Sequence, residues 1–263
     1  MLNNIKTKDI KDIAIEAGKV IMEIYNKDFQ VEYKDDNSPL TQADIKSNEI
    51  ICNALQHLYP QIPIMSEENK QIDYEIRKEW EYYWCIDPID GTKEFVKRNG
   101  EFTINIALIH NTIPVLGVVY APVIDKMYSA KKCEGAFLNN KRLPLESKKE
   151  NLTIVASKSH LSKETQNFID SLKVEYPDLE VNSKGSSLKL CMIADGSANI
   201  YPRLSATMEW DTAAADAIVR EAGKMTYQYD ENISPLEYLD KSIKLKPIVY
   251  NKENLLNSYF IVV

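Results

Sequence analysis

The chain has 263 residues, 44% hydrophobic and 27% charged, with a formal net charge of −7 at pH 7. That is enough chain for one large or two modest cores, and too apolar a composition for a disordered protein. The acidic balance argues against a broad nucleic-acid face, but an anionic substrate stays possible if bound cations reverse the local field. Cys52, Cys85, Cys133 and Cys191 form no CxxC pair and read as reduced structural residues. MLNNIKTKDI has no apolar stretch of the kind a secretory signal uses, and no run nears the roughly 18 apolar residues of a membrane helix, so a cytoplasmic protein is expected.

Ile10, Ile13, Ala17, Val20, Ile21 and Ile24 recur at helical spacing and predict an amphipathic helix. KDDNSPLTQAD reads as a polar loop, within which Thr41 and Asp44 have the spacing of a capping box opening a second helix to about Leu58. IPIMSEEN predicts a short strand ending in an acidic turn, YYWCID a second, FTINIALI a half-buried third and IPVLGVVYAP a fourth. The charged stretch LESKKEN, near residue 148, predicts a connection between an N-terminal lobe, 1–148, and a C-terminal lobe, 149–263. Beyond it LTIVAS reads as a strand, SKETQNFIDSL as a helix, GSSLKLCMIADG as a helix between Gly185 and Gly196, and ANIYPR as a strand. DTAAADAIVREAG predicts a helix with Asp211 at its start and Gly223 at its end, and LKPIVY and SYFIVV read as final strands. With no internal repeat, the pattern predicts a layered mixture of strands and helices in two lobes.

WCIDPIDGTKEF, residues 84–95, carries the chemistry. An apolar strand ends in Asp87, Pro88 is expected to stop the ladder, and the turn folds Asp90 back with the Ile89 carbonyl between. Two carboxylates and a carbonyl oxygen suit a hard divalent cation; without one, the like charges repel and a pKa rises. The turn also fits a plain surface bend, and Asp44, Glu67 and Asp211 each have an ordinary reading as capping-box acid, solvated acid and N-cap. Five acids at the ends of elements are harder to explain one by one. Converging in one cleft, they would need roughly two or three Mg²⁺ to offset them, the arrangement of multi-metal phosphoryl chemistry. His57, His110 and His160 are isolated, so zinc is not expected, and no P-loop or GxSxG elbow is present. Water activated by a metal is the remaining nucleophile.

With SEE upstream, DPIDGT after an apolar run and WDTAAADAIVREAG downstream, the chain resembles the Mg²⁺-dependent, lithium-sensitive inositol monophosphatase superfamily from about residue 35 to 223. DGTKEF, where inositol monophosphatases tend to carry DGTxNF, together with GSSLK and YPR, is most similar to the bacterial 3′(2′),5′-bisphosphate nucleotidase branch. The resemblance implies an αβαβα sandwich of two lobes. It implies one Mg²⁺ on Glu67, Asp87 and the Ile89 carbonyl, a second on Asp87, Asp90 and Asp211, and room for a third, weaker ion. Asp44 and Thr92 would orient and deprotonate the attacking water. The amides of Gly91 and Thr92 would hold the phosphate, which Glu67, Ile89, Asp90 and Asp211 meet through the ions. Ser186, Lys189 and Arg203 are the candidates for the nucleotide and its second phosphate, with Ser157 and His160 behind them; Glu68 is expected to be a solvated neighbour. The implied reaction is hydrolysis of adenosine 3′,5′-bisphosphate to AMP and phosphate. The alternatives are an inositol or sugar monophosphatase with the same metals, and a non-catalytic sensor of phosphate ligands. The expected partner is a small phosphorylated nucleotide, with no nucleic-acid polymer and no transmembrane segment; a homodimer and peripheral attachment to the inner membrane stay open.

Overall fold

The first helix turns its apolar stripe inward, as its periodicity requires. In the computed structural model, which describes residues 1–34, 39–145, 151–157, 161–240 and 243–263, α1 (Thr7–Tyr25) buries Ile10, Ile13, Ala14, Ala17 and Ile21. A hairpin of β1 (Val31–Tyr33) and β2 (Pro39–Thr41) leads into α2 (Gln42–Leu58). The capping box forms as expected. Thr41 Oγ1 accepts from the Ala43 amide at 3.2 Å, and Asp44 Oδ2 accepts from the Thr41 amide at 2.8 Å.

The main sheet has seven strands in the order of the chain: β3 (Ile64–Ser66), β4 (Tyr82–Asp90), β5 (Thr103–His110), β6 (Ile113–Ala121), β7 (Lys126–Lys131), β8 (Gly135–Leu138) and β9 (Lys141–Arg142). Only β3 and β4 are parallel, with the single-turn α3 (Tyr74–Arg77) in their connection; α4 (Thr92–Val96) lies between β4 and β5. Alternate residues face opposite sides of a strand. Trp84, Ile86, Ile104, Ile106 and Leu108 therefore pack in one core with α1 and α2, while Tyr83, Cys85, Ala107 and Ile109 pack in another.

That second core is closed by the rest of the chain: β10 (Thr153–Ser157), α5 (Lys163–Glu175), β11 (Glu180–Lys184), α6 (Leu188–Asp195), β12 (Tyr201–Arg203), α7 (Glu209–Glu221), β13 (Thr226–Gln228) and β14 (Phe260–Val262). α6 and α7 lie on the main sheet. Over them come the parallel pair β10–β11 and the antiparallel set β12–β14–β13, joined by a bridge between Ile154 and Ile200. α5 covers these strands, its Phe168, Ile169 and Leu172 packing with Ile154, Ile200 and Ile261. The layers run α, β, α, β, α, the expected sandwich.

The contact of α7 with β6 is unusually close. A Cβ built on Gly117 would stand 2.1 Å from the Ala214 carbonyl oxygen and 2.8 Å from Ala217 Cβ. Only glycine fits under the alanine run of α7 at that spacing.

Several expectations change. Pro88 does not stop the ladder: Asp87 pairs with Asn105 and Asp90 with Thr103, so β4 carries one extra residue there, a β-bulge. In a plain strand, residues three apart face opposite sides. The extra residue brings Asp87 and Asp90 to the same cavity. LKPIVY forms only an isolated bridge from Pro247 to Tyr227. The short strands β1, β2, β7, β8, β9, β11 and β13 were not read from the sequence, β2 lying inside the stretch expected to be a polar loop, and the segment 146–150, which holds most of the expected connection between lobes, lies outside the described residues.

Candidate active site

A cavity of about 270 Å³ is lined by Glu67, Asp87, Ile89, Asp90, Gly91, Thr92, Ser186, Lys189, Arg203 and Asp211. These residues come from β4, α4, α6, β12, the start of α7 and the loops beside β3 and α6. Glu67, Asp87 and Asp211 each bring one carboxylate oxygen within 4.8 Å of the others. Asp211 stands at the third position of α7, where its Oδ2 accepts from the Met208 amide at 2.8 Å; Met208, not Asp211, is the N-cap. Asp87 is buried, and its Oδ1 accepts from the Ile89 amide at 3.0 Å. Asp90 accepts on Oδ2 from the Ser187 amide at 2.5 Å and from the Asn105 amide group at 3.4 Å.

Burial, then the charges of Glu67, Asp90 and Asp211, pushes Asp87 well above the usual carboxylate range. Asp211 is pushed up to about 8 by burial, Asp90 and Glu67. Asp90 rises only to about 6, because Lys189 and the Ser187 amide oppose the effect of its burial. Glu68 is not the solvated neighbour expected. Its side chain is 11% exposed, and Lys34 bridges it to Glu67, at 2.6 Å to Glu68 Oε1 and 2.8 Å to Glu67 Oε1. Lys34 was not singled out from the sequence; its only signal was its place at the head of the polar loop.

Asp44 lies behind Thr92 and is 1% exposed. The Thr92 hydroxyl is 3.1 Å from Asp44 Oδ1 and 3.2 Å from the Ile89 carbonyl, so its single proton has two acceptors. The other oxygen, Oδ2, takes a bond from the Thr41 hydroxyl at 2.6 Å. Burial nevertheless raises the Asp44 carboxyl above its usual range. Gly91 caps α4 with φ 94°, a left-handed conformation that glycine adopts freely. As the first residues of a helix, Gly91 and Thr92 have amides with no partner inside it.

Lys189 and Arg203, candidates by resemblance for the nucleotide's second phosphate, lie deeper than solvated surface cations would, at 5% and 9% exposure. The Lys189 ammonium donates to the Ser186 carbonyl at 2.5 Å and lies 5.7 Å from the centre of the Tyr201 ring. Burial pulls its pKa down to about 8 against the attraction of Asp90. Arg203 Nη2 donates to the Ala206 carbonyl at 3.0 Å, while its buried Nε meets no acceptor among the described residues. Ser186 holds φ 48°, a left-handed backbone in a residue that seldom adopts it. Ser157 also lines the cavity, and His160 lies outside the described residues. Lys93, Glu94, Ser187 and Thr207 line it as well. Lys93 and Glu94 sit inside the DGTKEF motif and Ser187 inside GSSLK, both of which were legible; Thr207 carries no distinguishing pattern.

The inositol monophosphatase family profile matches residues 4–259. The chain belongs to the inositol monophosphatase family. The 3′(2′),5′-bisphosphate nucleotidase CysQ of Escherichia coli strain K12 is 41% identical over 242 residues, covering 89% of this chain and 94% of that protein. The protein of that name from Buchnera aphidicola is 44% identical over 231 residues, covering 84% of this chain and 85% of that protein. The crystal structure of CysQ from Bacteroides thetaiotaomicron superposes with a TM-score of 0.84 at 41% identity, over 97% of this chain and 96% of that one. In this inositol monophosphatase family member the donors fit a metal. Glu67, Asp87 and Asp211 offer only hard oxygen ligands, and the raised pKa values of Asp87 and Asp211 make their joint ionisation unfavourable until a cation joins them.

Proposed function

We propose that the protein is a Mg²⁺-dependent phosphatase that hydrolyses adenosine 3′,5′-bisphosphate to AMP and phosphate. The observation that carries this reading is a single cavity lined both by the acid cluster and by two buried cations, Lys189 and Arg203. A substrate with two phosphates uses both walls; a monophosphate uses only one. The identity of 41–44% to proteins named 3′(2′),5′-bisphosphate nucleotidase supports it.

Glu67, Asp87, the Ile89 carbonyl, Asp90 and Asp211 would hold two Mg²⁺, with room for a third, weaker ion. Bound Mg²⁺ supplies Lewis acidity and makes water acidic enough to attack at neutral pH. Thr92 takes the water's proton on Oγ1 as its own passes to Asp44 along the 3.1 Å contact; alone, a threonine is too weak a base. The free amides of Gly91 and Thr92 hold phosphate oxygens. Ser186, Lys189 and Arg203 take the nucleotide's second phosphate, which supplies the acceptor that Arg203 Nε lacks. The hydroxyl–carboxylate pair counts against a ligand sensor, which has no use for a proton relay.

The test is phosphate release in Mg²⁺ from adenosine 3′,5′-bisphosphate, inositol monophosphate and AMP. The bisphosphate should be hydrolysed far faster than the other two. Equal or faster release from inositol monophosphate would replace this reading with the monophosphatase one. The same reading places the protein in the cytoplasm, and among the described residues no helix is long and apolar enough to cross a membrane.

A further inference from the structure

Three polar side chains lie buried where an apolar core would serve the fold as well. Thr103 and Asn105 on β5, and Ser187 at the cap of α6, are each no more than 1% exposed. Ser187 Oγ donates to Asn105 Oδ1 at 2.8 Å and lies 2.8 Å from Thr103 Oγ1. Thr103 Oγ1 also lies 3.3 Å from Asn105 Oδ1, so with the Ser187 proton given to Asn105 the Thr103 proton has two acceptors, Ser187 Oγ and that same amide oxygen. Asn105 Oδ1 is thereby committed, and its amide nitrogen is turned toward Asp90 Oδ2, 3.4 Å away. The Ser187 backbone amide reaches the same oxygen at 2.5 Å. Both bonds fall on Oδ2, leaving Oδ1 outside this network.

The bulge supplies the register. Thr103 lies opposite Asp90 and Asn105 opposite Asp87, two residues apart and so on one face of β5. The Ser187 end is equally constrained. A Cβ on Gly185 would come within 2.7 Å of the Glu101 carbonyl oxygen, and Ser186 is held at φ 48°. Such a backbone persists only where its surroundings over-determine it.

We propose that Thr103, Asn105 and Ser187 form a positioning chain that fixes the Asp90 carboxylate for the cation and ties its orientation to the start of α6, where Ser186 and Lys189 lie. The proposal rests on the reading of Asp90 as a metal ligand. An unheld carboxylate would rotate, and the ion would lose part of its preorganised shell; supporting groups of this kind typically contribute about 10- to 100-fold in metal affinity.

The experiment is calorimetric titration of MgCl₂ into metal-free protein, beside phosphate release as a function of Mg²⁺. Asn105→Leu, close in volume but without the amide, should raise the Mg²⁺ Kd by about 10- to 100-fold. The Mg²⁺ concentration for half-maximal turnover should rise in parallel, by a larger factor than kcat falls. Thr103→Val, which keeps the shape and loses the hydroxyl, should shift the Kd in the same direction, and Thr103→Ser should bring it back. If Asn105→Leu does not fold, the Thr103 pair decides. A folded Asn105→Leu, or a Thr103→Val, with the parent's Mg²⁺ Kd overturns the proposal, and so does a parent protein that takes up no Mg²⁺. Failure of the nucleotidase reading shows elsewhere, as a parent that binds Mg²⁺ yet releases no phosphate from adenosine 3′,5′-bisphosphate.

Discussion

The two walls of the cavity are both buried and both charged, yet they balance in different ways. The cation wall has acids near it: Asp90 and Glu94 act on Lys189, whose pKa falls only to about 8. The acid wall has little of the kind. Asp90 and Glu67 raise both Asp87 and Asp211, Asp211 adds to the effect on Asp87, Arg203 only partly offsets the rise at Asp211, and Lys34 at the edge meets Glu67 and Glu68. One wall is close to neutral as built. On the proposed function the other would be completed by a cation from solution, and that division would separate a catalytic end from a recognition end.

Removing that cation should have the largest effect. A chelator should abolish phosphate release and Mg²⁺ restore it, whereas Ca²⁺, with longer bonds and looser geometry, should fill the site without supporting turnover. Full activity in the chelator would leave the acid wall without a purpose. Next comes Thr92→Ala, expected to lower kcat by about 10²- to 10⁴-fold, the usual range for a lost acid–base group, while calorimetric Mg²⁺ affinity holds. Weaker Mg²⁺ binding with unchanged saturated turnover would move Thr92 from the proton relay to the metal.

On the opposite wall, Arg203→Ala should cost about 10- to 100-fold in kcat/KM for adenosine 3′,5′-bisphosphate, the worth of one charge-assisted bond, with little change for a small monophosphate. Equal losses on both substrates would make Arg203 a support of the fold.

The smallest effect is on stability, and it separates the walls along the pH axis. A carboxyl raised in the folded state lends stability that is complete below its unfolded pKa and is lost as pH climbs through the folded one. For Asp90 and Asp211, at about 6 and about 8, that window runs from roughly pH 4 to 8. The Tm of metal-free protein should therefore fall between pH 5 and 8, and excess Mg²⁺ should flatten the slope. Lys189, lowered to about 8, is charged in both states across most of that window; its own effect lies between about pH 8 and 10.5, where stability is lost as pH falls. A metal-free Tm that rises from pH 5 to 8 would contradict the burial of the acids.

The acid wall was the legible one. Asp87, Asp90 and Thr92 stand in a single motif, and Thr41 with Asp44 announced a helix start that the structure forms. The bulge was not legible, because Pro88 read as the end of a ladder and the pairing that resumes beyond it depends on β5. Lys189 and Arg203 were candidates only through the resemblance of GSSLK and YPR; their depth was not legible, because burial of a cation is decided by distant neighbours such as Tyr201 and Asp90. Thr103 and Asn105 did leave a signal. In FTINIALI the polar residues alternate with isoleucine, but alternation tells only that two faces differ, and the polar face here meets Asp90 and buried Ser187, not solvent.

Gly117 reaches further than its lack of a side chain suggests. It lies in β6, remote in sequence from every proposed ligand, yet it sets how near α7 lies to the sheet that carries Asp87. The gap between Asp211 and Asp87 is thus gauged by hydrogen atoms, as a shim sets the clearance of a bearing. Any larger residue at 117, or in place of Ala214 or Ala217, would widen the spacing of charge at the metal site without touching a charged group.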